Sequence, residues 1–158
     1  MLRVWLSPRS IAAGLCGSVA HALLLYGKFR SGILPSFQPY ERFQMVLSQW
    51  VGSDVHPLVP WALSFLNGSI VLSFAFAQFY RRIPGSNSAV KGAIFAVLGW
   101  VIMGLIFFPL LGMGVFAAQI GLGIGPAVFS FAMLLTYSIV MAVVYSALDP
   151  AAVRRQRQ

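Results

Sequence analysis

A long stretch of the chain, residues 92–148, contains no Asp, Glu, Lys, Arg or His. Helices of soluble proteins turn a polar face to water, whereas the core of a bilayer accepts helices of about 20 apolar residues. The stretch is long enough for two such helices, and a Gly-rich segment that closes on Pro126 provides the turn between them. The pattern therefore predicts a hairpin of two spanning helices, over residues 91–116 and 126–148.

Two further apolar runs precede this hairpin, over residues 11–27 and 57–80. Pro57 and Pro60 suit the first turn of the second run, where the missing N–H costs little. Trp61 and Tyr80 fall near its two ends, as aromatic residues do at membrane interfaces. The predicted fold is all-α, with one membrane domain over residues 1–158 that contains four transmembrane helices.

The loop between the first two runs contains an amphipathic segment, residues 40–51. Its apolar residues recur at i, i+3, i+4, i+7 and i+8, which is helical spacing: Phe43, Val46, Leu47, Trp50 and Val51. A helix of this length is too short to span a membrane, so we expect it to lie in the interface. Its apolar side would contact lipid or a partner subunit, with Phe43, Leu47 and Trp50 as the candidate contacts.

The composition excludes an ordinary soluble domain, because 59% of the residues are hydrophobic and only 9% are charged. The formal net charge is +8, but the basic residues flank the apolar runs. They therefore indicate orientation and contact with membrane lipids rather than nucleic acid. With the N-terminus inside, eight basic residues face the cytoplasm and three (Lys28, Arg30 and Arg42) face outward. The eight cytoplasmic basic residues would be Arg3, Arg9, Arg81, Arg82, Lys91, Arg154, Arg155 and Arg157. The expected location is the bacterial inner (plasma) membrane, multi-pass, with both termini cytoplasmic.

The two histidines, His21 and His56, fall toward the same side of the predicted membrane. A b-type haem held by both is one alternative, although His21 is expected deeper in the bilayer than His56. The simpler interpretations are a hydrogen bond from His21 to a neighbouring helix and a helix-start role for His56. The main expectation is that the chain binds no cofactor.

Polar and small residues inside the predicted spans form a candidate packing or polar site. Asn67 lies within the second span, beside a row of small residues, Ser69, Ser73 and Ala77. A similar pair, Gly14 and Ser18, occurs in the first span. Small residues four apart allow close packing of helices in lipid. The third span contains Pro109, which predicts a kink before Gly112 and Gly114. The alternative is that these groups line a permeation path.

Signals for catalysis are absent from the sequence. The chain has no metal-spaced set of His, Cys and Glu residues, no paired carboxylates and no nucleophile motif, and its three acids lie outside the predicted spans. We therefore expect no enzymatic activity and no metal site. No span contains Asp, Glu, Lys or Arg at mid-depth, which also argues against a coupled transporter.

The stretch that begins Lys91-Gly-Ala-Ile-Phe and continues through Phe107-Phe-Pro-Leu-Leu-Gly-Met-Gly114, followed by a last helix ending near Tyr145, resembles a family of small bacterial and archaeal four-helix membrane proteins of uncharacterised function. The resemblance implies the four-helix fold and no chemistry.

Together these features favour a non-catalytic accessory, structural or assembly subunit of a larger membrane complex, respiratory or photosynthetic, with other membrane subunits as partners. The alternatives are a small channel or transporter, and a redox module that binds haem or quinone.

Overall fold

The computed structural model describes residues 7–149, so the basic residues Arg3, Arg154, Arg155 and Arg157 lie outside it. The described chain is helical with irregular connections and contains no strand. Four of its helices are long and apolar enough to cross a membrane, and a shorter helix, α2 (Pro39–Val51), follows the first. The predicted all-α class with four candidate spans is confirmed at this level. The four are α1 (Pro8–Ser31), α3 (Leu58–Phe79), α4 (Ser88–Leu110) and α5 (Gly125–Ala147).

Helix α1 is longer than the apolar run that predicted it. It begins at Pro8, because the Ser7 side chain accepts a hydrogen bond from the N–H of Ser10 at 3.2 Å and caps the first turn. It continues through the basic residues at its other end to Gly32, whose φ of 64° allows the left-handed conformation that ends a helix. The N–H of Ile33 then bonds the carbonyl of Lys28.

Helix α4 ends at Leu110, before the predicted boundary. Pro109 provides no N–H, and the turn before it, Met103–Phe107, is π-helical. Gly112 then adopts a φ of 68°, and the N–H of Met113 bonds the carbonyl of Phe108 at 3.0 Å. Residues 111–124 therefore form an irregular connection with one short 3-10 stretch, Val115–Ile120, rather than a tight turn.

Helix α5 lies at the centre of the bundle and packs most extensively on α4 and α1. Helix α1 in turn packs on α3, at a second π-helical turn, Asn67–Leu72. A Cβ atom on Gly14 of α1 would lie only 2.6 Å from the carbonyl oxygen of Ser69 and from Cβ of Ser73. The small-residue rows of the two helices therefore meet, which is the close packing that their spacing predicted.

The two ends of the bundle differ. At one end, Arg9 donates a hydrogen bond to the carbonyl of Tyr145 and pairs with Asp149, while Lys91 donates to the carbonyl of Tyr80. The other end is covered by residues 32–57 and 111–124, which we call the cap. Four residues of the cap, Phe37, Leu111, Met113 and Ala117, form a buried apolar cluster with Phe108 of α4, which we call the cap cluster.

Candidate functional site

Tyr40, in the first turn of α2, joins three helices. Its ring stacks on that of Trp61, with centroids 4.3 Å apart and planes 13° from parallel. Its hydroxyl lies 2.9 Å from Ser64 Oγ on α3 and 3.4 Å from His21 Nε2 on α1. Burial raises the pKa of Tyr40 above its ordinary value. The phenol therefore stays protonated and can donate one hydrogen bond into this junction.

The rest of α2 is also fixed to its own chain. Phe43 makes an edge-to-face contact with Phe107 of α4, with centroids 5.5 Å apart, and Val46 packs on the cap cluster. The Gln44 side chain donates to the carbonyl of Val55 at 2.8 Å, and Ser48 Oγ accepts from the N–H of Val55 at 3.0 Å. The apolar side of α2 is thus packed on protein along part of its length.

Other apolar residues of α2 remain exposed. Met45, Trp50 and Val51 are 48%, 69% and 66% exposed, while Leu47 is half-buried. A groove of about 300 Å³ separates α2 from the end of α4. Its polar groups are Arg42 and Gln49, so the groove is amphipathic; the full lining is Arg42, Met45, Val46, Gln49, Leu110, Leu111 and Gly112. We call the exposed set and the groove together the α2 surface.

Lys28 is buried where α1 meets the cap, rather than lying in a solvated loop. It belongs to the last turn of α1 and is only 6% exposed. Its Nζ donates to the carbonyl of Phe37 at 2.5 Å and lies 5.5 Å and 5.9 Å from the ring centroids of Phe37 and Phe129. The amine therefore ties the chain that leads into α2 back to the end of α1.

The two histidines occupy separate places. His21 lies in the Tyr40 junction, and His56 is exposed at the start of α3, where its Nδ1 accepts a hydrogen bond from the N–H of Leu58 at 3.2 Å. Within residues 7–149, no contact joins the two rings. That part of the chain also contains no cluster of three His, Cys, Asp or Glu residues suited to a metal. A haem shared by His21 and His56 stays a prediction.

The other candidate residues also lie apart. The Asn67 side chain is exposed on α3. Pro109 lies at the end of α4, Gly112 lines the α2 surface, and Gly114 is buried beneath the side chain of Gln119. Among the described residues, Asn67 makes no contact with the end of α4, so the structure does not bring these groups together on one path.

Two tyrosines that connect helices, Tyr40 and Tyr137, were not among the predicted site residues. Tyr40 is three residues before Phe43, so helical spacing alone indicates that it shares the apolar side of α2. Tyr137 donates from its hydroxyl to the carbonyl of Gly68 in the π-helical turn of α3. A buried tyrosine hydroxyl needs a partner, so its place inside an apolar run was a usable signal.

Comparison with known proteins gives a family and no activity. No curated protein and no solved structure matches the chain significantly. A family model matches residues 6–156, which is nearly the whole chain, and the protein therefore belongs to a family of unknown function, DUF6789.

Proposed function

We propose that the protein is a non-catalytic integral membrane protein that serves as a structural or accessory subunit of a larger membrane complex. The observation that carries this proposal is that some apolar residues of α2 pack on the chain itself while others are exposed. Phe43 and Val46 pack on the chain itself, yet Met45, Trp50 and Val51 remain exposed. A helix that only rested on lipid would turn its main apolar side to the lipid. Here the chain itself covers part of that side, and Trp50 and Val51 at its end, together with Met45, are left for a partner.

The chemistry of the α2 surface fits a protein partner. Trp, Met and Arg are enriched at protein interfaces, and Trp50, Met45 and Arg42 all belong to this surface. Arg42 and Gln49 can donate hydrogen bonds to carbonyl or carboxylate groups of the partner, above an apolar floor. Single exposed apolar residues are ordinary, but here they adjoin a groove with polar donors at its rim.

The proposal includes a location in the inner membrane of a bacterium, with both termini cytoplasmic and the cap outside. Four basic residues at one end of the bundle, Arg9, Arg81, Arg82 and Lys91, support this orientation, since positive charge favours the cytoplasmic side. Two of the three acids, Glu41 and Asp54, lie in the cap.

The test is purification of the tagged full-length protein from native membranes in mild detergent, with mass spectrometry and an optical spectrum of the eluate. We expect other membrane subunits in stoichiometric amounts, and their identity would assign the complex as respiratory, photosynthetic or other. The double variant Met45→Ala/Trp50→Ala should lose them. The control Phe29→Ala removes a side chain that is also largely exposed, at 71%, but lies outside the α2 surface.

Two results would contradict the proposal. The wild type could be recovered from native membranes without stoichiometric partners, or the double variant could retain its partners as fully as Phe29→Ala. A Soret band that belongs to this chain alone would instead favour the haem alternative.

A further inference from the structure

Asn67 lies near the middle of α3. It is the tenth of the 22 residues of Leu58–Phe79. At 1.5 Å per residue it is roughly 14 Å from the start of the helix, and a bilayer core is about 30 Å thick. If α3 spans the membrane, this amide lies close to the midplane, where water is absent.

The Asn67 side chain nevertheless points out of the bundle. It is exposed, and within residues 7–149 its amide group makes no hydrogen bond. The neighbouring polar groups in the same π-helical turn are satisfied inside the bundle, because Tyr137 donates to the carbonyl of Gly68 and Ser18 contacts Ser69 at 3.3 Å. The residues around Asn67 are exposed and apolar: Leu63, Leu66, Ile70 and Val71.

An outward amide at this depth needs a partner from another molecule. Hydrocarbon offers no hydrogen bond, so an unpaired amide there is strongly unfavourable. Long Lys and Arg side chains can reach the headgroups, but the short Asn side chain cannot extend over half the bilayer.

We propose that Asn67 and its apolar neighbours form a self-association surface, at which a second copy of this chain packs its own α3. Copies in one membrane share one orientation, so a two-fold axis along the membrane normal places identical residues at identical depth. Asn67 of one protomer then meets Asn67 of its partner. An amide carries both a donor and an acceptor, so the pair can exchange two hydrogen bonds without any further polar group.

This surface is separate from the α2 surface, and self-association does not depend on the role proposed above. The accessory role and the self-association can therefore be contradicted independently. A chain that dimerises but recovers no other subunit contradicts only the accessory role. A chain that binds its complex as a single copy contradicts only the self-association.

The first measurement is energy transfer between donor- and acceptor-labelled copies of the full chain in lipid vesicles, over a range of protein-to-lipid ratios. The labels are attached at Ser53→Cys, an exposed cap position, in a Cys16→Ala background. We expect concentration-dependent energy transfer for the protein with Asn67 intact and for the Asn67→Gln variant, which keeps the amide. Asn67→Val should weaken association roughly tenfold. Unlabelled wild-type copies should compete the transfer away.

The second measurement is disulfide cross-linking with a mild oxidant in native membranes, in the same Cys16→Ala background with Asn67 intact. Leu63→Cys lies one turn from Asn67 on the same side of α3 and should give a homodimer. Leu98→Cys is a matched control, because it is exposed at a similar depth on α4.

Several outcomes would overturn the proposal. These are a wild type that shows no transfer above random proximity, an Asn67→Val variant that associates as strongly as the wild type, equal cross-linking at both cysteine positions, and capture of a different protein at Leu63→Cys. The wild-type and cross-linking results decide the matter even if Asn67→Val fails to fold.

Discussion

The hydroxyl of Tyr137 on α5 donates a hydrogen bond to the backbone carbonyl of Gly68 on α3, over 2.5 Å. Gly68 lies in the π-helical turn Asn67–Leu72, and a Cβ atom there would lie 2.6 Å from Ser18 Oγ. The absence of a side chain thus lets α1, α3 and α5 meet around one carbonyl. Turns of this kind often leave backbone acceptors for side-chain donors.

Tyr137→Phe should destabilise the bundle, because it leaves the Gly68 carbonyl without its donor while keeping the ring in place. We expect a loss of about 1 kcal/mol in unfolding free energy, measured by denaturant unfolding in detergent micelles. Tyr26→Phe is the control, since Tyr26 is 63% exposed and its hydroxyl makes no hydrogen bond within residues 7–149. Equal stabilities of the two variants would show that the bond contributes nothing measurable.

Gly14→Ala should destabilise the bundle more than the addition of one methyl group would suggest. The added Cβ would lie 2.6 Å from the Ser69 carbonyl oxygen and from Ser73 Cβ, so α1 and α3 would have to separate. Overpacking of this kind costs roughly 1–3 kcal/mol, which should lower the thermal unfolding midpoint in detergent. Gly27→Ala meets no atom within 4 Å, so it should be neutral or slightly stabilising. A Gly14→Ala variant as stable as Gly27→Ala would contradict the close approach.

The docking of α2 should weaken in alkali. Burial raises the pKa of Tyr40 above its ordinary value of 10.0, so the docked state holds the phenolic proton more tightly than the undocked state. The contribution of Tyr40 to the docking free energy of α2 is therefore complete below pH 10, and it is lost as the pH rises through the raised pKa of Tyr40. Titration by near-ultraviolet circular dichroism should show an alkaline step from the Tyr40–Trp61 stack.

Tyr40→Phe keeps the ring stack but cannot ionise, so the alkaline step should be missing from its titration. Because other tyrosines also ionise in alkali, the difference between the two titration curves is the quantity that tests the assignment. Identical curves would show that Tyr40 does not control this transition.

The proposed orientation predicts which loops are accessible from outside the cell. In a Cys16→Ala background, Ser53→Cys in the cap should react with a membrane-impermeant maleimide on intact cells. Ser86→Cys, between α3 and α4, should react only after the membrane is opened. Both side chains are exposed, so burial does not explain a difference. The reverse pattern would place the cap in the cytoplasm.

The sequence by itself determined the number and type of the main elements. Apolar runs of spanning length and one segment with helical apolar spacing are local properties, so they survive any arrangement of the helices. The rows of small residues also indicated correctly that Gly14 and Ser18 would lie in a close contact, because close approach requires small side chains on both helices.

Only the tertiary structure decided which surfaces meet. Helical periodicity shows that Tyr40 and Phe43 share a side, but it does not reveal whether lipid, another subunit or Phe107 covers that side. The end of the apolar run at residue 27 placed Lys28 in a loop, whereas the structure buries it at the end of α1, against the rings of Phe37 and Phe129 and one carbonyl. The outward direction of Asn67 likewise depends on how α3 is rotated against α1 and α5. That rotation is set by contacts between residues far apart in the chain, and no local pattern records it.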